Sequence, residues 1–579
     1  MNRYFVLIVF GWIPLIILLW WCVLTYDCWT WGDYWMPYAP VLEDGETLVN
    51  GRRFSGFFGW MVRWDMQEAT VAVLGALSFN GFVGYIDRCP RKTIEGSRIA
   101  PDSEWDLSQR IMQLSPRDDW SIGDACMGTF VTGSTGSGKT TGPGAELAMS
   151  FLRAGFGGLV LCIKPDERRN WERYCQQAGR EDDLIVFDAS GRHRYSFLDE
   201  ELRHKGAGAG LTENIVNLFS IILEIADRNG GNGRDSEQYW KRALRQLARN
   251  LVDLLVLAHG RVSVPELYRL AASAPTSFEQ IHSDNWRRQS FCFECLRTAD
   301  ARAKSDTELQ DFKLVADYFT SEFPGLSDKT RSVIVSTFTS LVDVLNRGLL
   351  RTLFSTDTTV RPEDTFNGKI LVIDLPVKEF LEVGQFAAVL MKFCFQRAVE
   401  RRDVNENPRP VFLWVDECQE VMTSFDMPFQ STARSSRVAT VYLTQNISTM
   451  RAAFGNDQAE ALTDALTGNL QTKFFCANGD PVTNEWAATI IGRTRQFFVN
   501  ASQSQTDDWT NMLFGQSETQ RSSGVSEQME FELPPRCFTT LRTGGPKNRW
   551  QVDTVMFQGG RQFAASGKTW LPVTFNQQH

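Results

Sequence analysis

The segment Gly133-Ser134-Thr135-Gly136-Ser137-Gly138-Lys139-Thr140 constrains the fold more than any other part of the chain. It matches the pattern GxxxxGK[ST], whose glycines let backbone N–H groups curl around phosphate oxygens. That geometry needs a strand running in and a helix running out. The apolar run Thr129-Phe130-Val131 precedes the loop, and a helical pattern follows, with Pro143 placed in its first turn, where a missing N–H is tolerated. Residues 133–141, through Thr141, are therefore read as a nucleotide-binding loop. Lys139 would reach the β- and γ-oxygens, and Thr140 would ligate Mg²⁺.

Six further short apolar runs have the continuous character of buried parallel strands: Leu159–Ile163, Leu184–Phe187, Ile370–Ile373, Val411–Val415, Ala439–Leu443 and Lys473–Cys476. They predict an α/β fold with a mostly parallel, doubly wound sheet of RecA-like type. From about residue 205 to 350 helical spacing takes over, so an inserted all-α domain is expected there. The expected organisation is an anchor over 1–92, a nucleotide-binding domain in two parts over 93–204 and 351–500, and a remainder over 501–579. Within the remainder, the Ser-, Gln- and Thr-rich stretch 501–528 reads as an exposed or mobile loop.

A nucleotide-hydrolysing site needs an acid at the carboxyl end of a second buried strand. Asp416 and Glu417, directly after Val411–Val415, supply it: Asp416 as a Mg²⁺ partner and Glu417 to polarise the attacking water. Gln445, after Ala439–Leu443, is placed to sense the terminal phosphate. Upstream of that strand, Arg434 and Arg437 are both candidates for a finger acting on a neighbouring subunit. A strip of Arg242, Arg245 and Arg249 at helical spacing could meet phosphates or simply face solvent.

The net charge of −9 gives no whole-molecule field for nucleic acid, so any such contact must be local. The twelve cysteines show no repeated spacing and read as reduced thiols, with Cys292 and Cys295 on a helix face. The first residues differ in kind. From Tyr4 to Tyr26 no residue is charged, and Ala69–Ile86 is a second uncharged run. Arg3 lies before the first run and Asp27 and Asp33 after it; Asp65 and Glu68 precede the second, with Arg88, Arg91 and Lys92 beyond. Two membrane spans, about 4–24 and 69–86, with both ends in the cytoplasm satisfy these flanks.

With GSTGSGKT, LVLCIKPDERRN, SEQYWKRALRQLARNLVDLL, GLSDKTRSVIVSTFTSLVDVL, NGKILVIDLP, WVDECQEV and VYLTQNISTMRAAFG in this order, the chain resembles the VirD4/TraG/TraD family of type IV secretion coupling proteins, relatives of the FtsK and HerA motors. The resemblance implies an ATP-hydrolysing, Mg²⁺-dependent hexamer in the bacterial inner membrane. It also implies partners: a relaxase with single-stranded DNA, or protein substrates, and the inner-membrane parts of a secretion channel. By the same resemblance Arg434 is the finger, although Ala433 stands where the family has glycine. Two other functions remain open on the residues: a DNA pump for segregation, and a membrane receptor that uses nucleotide only to set its assembly.

Overall fold

The computed structural model describes residues 47–49, 52–54, 105–204, 211–230, 237–455, 458–505 and 519–578. The chain divides into two units, Met1–Lys92 and Thr93–His579. In the first, the described residues are one short antiparallel pair, β1 (Thr47–Val49) and β2 (Arg52–Phe54). The two expected spans lie outside the described residues, and among those described no single helix is long and apolar enough to cross a membrane.

The second unit opens with an antiparallel hairpin, β3 (Arg110–Ser115) and β4 (Asp118–Ser121). Its centre is a nine-stranded sheet. In chain order the strands are β5 (Thr129–Thr132), β6 (Gly157–Leu161), β7 (Leu184–Asp188), β8 (Ile370–Asp374), β9 (Val411–Val415), β10 (Val438–Thr444), β11 (Thr472–Phe475), β14 (Gln551–Gln558) and β15 (Trp570–Asn576). Across the sheet they stand in the order β15-β14-β11-β5-β10-β9-β6-β8-β7. The seven strands from β5 to β11 pair in parallel, while β14 and β15 run antiparallel on one edge.

The parallel strands are largely apolar because both faces are covered. On one face the helices Ala145–Arg153 and Glu167–Ala178 bury Phe151, Leu152 and Trp171 against Phe412 and Trp414. Trp171 and Phe412 stack at 5.3 Å. Gly158 makes this approach possible, since a Cβ there would come within 2.4 Å of the Phe412 ring. On the other face Leu413 and Val415 share a continuous apolar cluster with Leu251, Phe319 and Phe338 from the helices between β7 and β8. The described residues between β7 and β8 contain helices from Phe197–Arg203 to Gly348–Phe354 and no strand.

The tail departs from expectation. Residues 501–505 and 519–528 are not loop: β12 (Arg493–Gln505) and β13 (Thr519–Phe531) pair antiparallel over their full length. A ribbon with polar residues on both faces shows no alternation in its sequence, so period-two reading misses it. The rest of the tail, β14 and β15, completes the main sheet beside β11.

A phosphate loop and an acidic pair at the carboxyl edge of the sheet

The loop 133–140 follows β5, which lies between β10 and β11, so it sits at the carboxyl edge of the sheet with strands on both flanks. Gly136 and Gly138 adopt φ of 77° and 83°, a region that side chains disfavour. Gly133 has no room for a side chain either: a Cβ would lie 2.4 Å from Ser137 Oγ. Thr140–Gly144 forms a π-turn before the helix proper. Pro143 lacks an N–H, and the Gly144 N–H reaches back to the Lys139 carbonyl at 2.9 Å. The proline thus fits the first turn by widening it.

Four side chains meet above this loop. Thr140 Oγ1 donates to Asp416 Oδ2 at 2.9 Å, and Lys139 Nζ to Glu417 Oε1 at 3.1 Å. Lys164, the first polar residue after β6, donates to Glu417 Oε1 at 2.7 Å and to Asp416 Oδ2 at 3.4 Å. Asp416, Glu417 and Lys139 are all buried. Burial works to raise the Glu417 carboxyl, but the Lys164 hydrogen bond and the Lys139 charge outweigh it and hold it at about 2. Nearby, burial and then the charge of Asp416 push the Glu167 carboxyl well above its usual range. Glu417 itself has φ 57°, the left-handed region, so the acidic pair is held on a strained turn.

A second group of polar residues fixes the loop from the side. Gln445 Nε2 lies 3.5 Å from Glu417 Oε1, and Gln419 Nε2 donates to Glu417 Oε2 at 3.1 Å. Asn478, three residues beyond β11, accepts from Ser134 Oγ and donates to the Gln445 carbonyl, both at 3.0 Å. Lys164, Gln419 and Asn478 were missed as site residues by sequence reasoning. Their common signal is position: each lies within four residues of the carboxyl end of a parallel strand of the sheet.

The sequence-predicted residues divide cleanly. Residues 133–141, Asp416, Glu417 and Gln445 gather at one edge, and Arg434 does not. It is exposed, before the amino end of β10, and at ~3.3 Å per residue that strand puts it roughly 20 Å from Gln445. Arg437 is engaged inside its own chain, donating to the Trp105 and Pro408 carbonyls at 2.6 and 2.9 Å. Of the arginine strip, Arg245 and Arg249 pair with Glu213 on the neighbouring helix while their side chains stay partly exposed, and Arg242 is exposed. Cys292 and Cys295 are buried together in the helix Phe291–Ala301.

The donor set suits a small hard cation: a hydroxyl and a carboxylate oxygen already 2.9 Å apart at Thr140 and Asp416. The buried Ser137 Oγ, within the loop, has no hydrogen-bond partner among the described residues. A doubly wound sheet with this loop and acidic pair defines a P-loop nucleotide-binding protein. Residues 410–533, from β9 into the segment after β13, match the family model described as the TraM recognition site of TraD and TraG. Over that segment the chain is similar to coupling proteins of the TraD and TraG type.

One solved structure shares the fold. The bacterial conjugative coupling protein TrwBdeltaN70, in a trigonal form in complex with sulphate, is 16% identical, with a TM-score of 0.52 over 85% of this chain and 96% of that one. Its unbound monoclinic form gives 15%, 0.49, 85% and 95% in the same terms. VirB4 of Thermoanaerobacter pseudethanolicus is more distant, at 13% identity and a TM-score of 0.41 over 78% and 88% of the two chains. No curated protein matches the chain.

Proposed function

We propose that this chain is the inner-membrane ATPase of a type IV secretion or conjugation system, recruiting relaxase-bound single-stranded DNA or protein and coupling ATP hydrolysis to its transfer. The observation that carries the reading is the meeting of Lys139, Thr140, Asp416, Glu417 and Gln445 at one edge of the sheet. The ligand is ATP with Mg²⁺, and the metal, when bound, neutralises charge developing between the β- and γ-phosphates. Thr140 and Asp416 would hold the metal. Lys139 would turn from Glu417 to the phosphate oxygens, and Glu417, still held by Lys164 and Gln419, would orient water with Gln445.

Arg434 supports a shared site. Roughly 20 Å from its own loop, it can act only on another subunit's phosphate, which fits a ring of identical chains. The spans at 4–24 and 69–86 anchor that ring with the sheet in the cytoplasm. Residues 410–533 match a region named for TraM recognition in TraD and TraG, which supports a relaxosome protein as partner.

The full chain in detergent tests the reading. In Glu417→Gln, ATP binding persists while hydrolysis drops by at least about 100-fold, the scale of a lost catalytic base. Steady turnover in that variant or in Lys139→Ala would sink the assignment. Hydrolysis that single-stranded DNA fails to stimulate, with tight retention of ATP, would favour a nucleotide-gated receptor instead.

A further inference from the structure

The γ-phosphate end of the site has a fixed direction. Glu417 and Gln445 follow β9 and β10, which both lie on one side of β5, so a nucleotide whose last phosphate meets them must extend its nucleoside toward the opposite flank or into solvent. That flank is occupied by β11, β14 and β15, the part of the chain to which sequence reasoning assigned no role.

The start of β14 lies flush against the loop. A Cβ at Gly138 would come within 2.5 Å of Val552 Cγ2, and one at Gly142 within 3.0 Å of Val552 Cβ. Just before it, residues 542–550 form a turn closed by the Trp550 N–H on the Gly545 carbonyl at 2.8 Å. Arg542 anchors its foot with two hydrogen bonds to Asp553, at 2.6 and 2.8 Å. Gln577, beyond β15, joins the turn to the phosphate-loop helix. Its N–H donates to the Trp550 carbonyl at 2.8 Å, its Oε1 accepts from the Gly545 N–H at 2.7 Å, and its Nε2 donates to Thr141 Oγ1 at 2.5 Å. Thr141 directly follows the metal-binding Thr140.

Two successive residues of this turn, Arg549 and Trp550, have φ of 55° and 60°, a conformation that non-glycine residues hold only when the surroundings impose it. Trp550 is 39% exposed. Trp486 and Trp570 pack into an apolar cluster with Phe475 and Phe538, whereas no ring or cation packs on Trp550 among the described residues. An indole held out on a strained, anchored turn, one residue of hydrogen bonding from the phosphate loop, is suited to stacking on a planar heterocycle.

We propose that the turn 542–550, clamped by Gln577, is the nucleoside wall of the site and that Trp550 stacks on the base. The proposal rests on the reading of the phosphate loop as an ATP site. Stacking tolerates any base, so the wall accepts nucleoside triphosphates as a class and supplies affinity rather than a choice among bases.

Calorimetric titration of the full chain in detergent tests it with two probes, Mg²⁺ plus a non-hydrolysable ATP analogue, and Mg²⁺ plus inorganic triphosphate. Trp550→Ala should weaken the analogue about tenfold and leave triphosphate within about twofold, while Trp550→Phe retains most of the analogue's affinity. A Trp550→Ala chain that keeps full analogue affinity, or loses both probes equally, overturns the proposal. Lys139→Ala separates the two readings. If it loses both probes while Trp550→Ala loses neither, only the nucleoside wall falls; if Lys139→Ala loses neither, the phosphate-loop reading itself falls.

Discussion

Lys392 and Asp426 form an ion pair at 2.5 Å in which both side chains are only 1% exposed. Lys392, on the helix Val377–Arg401, also donates to the Val421 carbonyl at 2.7 Å, four residues after Glu417. Asp426 opens the short helix Asp426–Thr432 that leads to Arg434, and it accepts from the Thr423 N–H, Gln396 Nε2 and Tyr442 OH at 2.7 to 3.0 Å. One buried charge pair thus ties together the acidic turn, the approach to Arg434 and strand β10. Replacing Lys392 by Met strands the Asp426 charge, for which a cost of about 3 to 5 kcal/mol is typical. Three remaining donors place this case near the lower end, at about 3 kcal/mol. Asp426→Asn removes the charge that faces the buried Lys392 ammonium and costs about as much. The double variant removes both charges, so its loss should stay near that of one single, leaving a coupling of about 2 to 3 kcal/mol. Urea unfolding of the full chain, followed by tryptophan fluorescence, measures the cycle. Losses that simply add would refute the argument, because the pair would then not be acting as one unit.

Lys473 lies within β11, and burial alone brings its ammonium down to about 8. A lysine whose folded value is depressed destabilises the fold wherever both states are protonated, so stability should rise as pH goes from about 8 to about 10.5, by about 3 kcal/mol in all. The matched measurement is the pH dependence of unfolding, and Lys473→Met should flatten that rise. Gly157→Ala should be among the most damaging single-methyl changes, since its Cβ would lie 1.8 Å from the Thr365 carbonyl oxygen; a loss of at least about 3 kcal/mol in the same urea assay is expected. Arg437→Ala should lower stability by about 1 to 2 kcal/mol without changing how hydrolysis depends on protein concentration. Arg434→Ala should do the reverse, leaving the unfolding midpoint in place while assembled protein loses hydrolysis.

The chemistry of the site was legible because it follows parallel strands. A buried parallel strand is a continuous apolar run, and its carboxyl end is where polar residues must appear, so Lys139, Asp416, Glu417 and Gln445 stand in the sequence next to visible markers. The same rule applied to Lys164 and Asn478 points at them as well, although neither belongs to the GxxxxGK[ST] pattern. The ribbon β12–β13 left no mark, since polar residues on both faces erase alternation.

Sequence alone therefore determined the phosphate loop, the acidic pair, the apolar strands and the helical stretch between β7 and β8, all of which are encoded by neighbours in the chain. Tertiary structure decided the rest. It separated Arg434 from Arg437, because the latter's guanidinium is tied to the Trp105 and Pro408 carbonyls, segments remote in sequence. It placed β14 and β15 beside β11 and brought Gln577 onto Thr141, residues more than four hundred positions apart. Local pattern cannot reveal such contacts. Strand order and edge pairing are set by how whole faces are covered, and only the folded sheet shows which end of the chain closes over the loop.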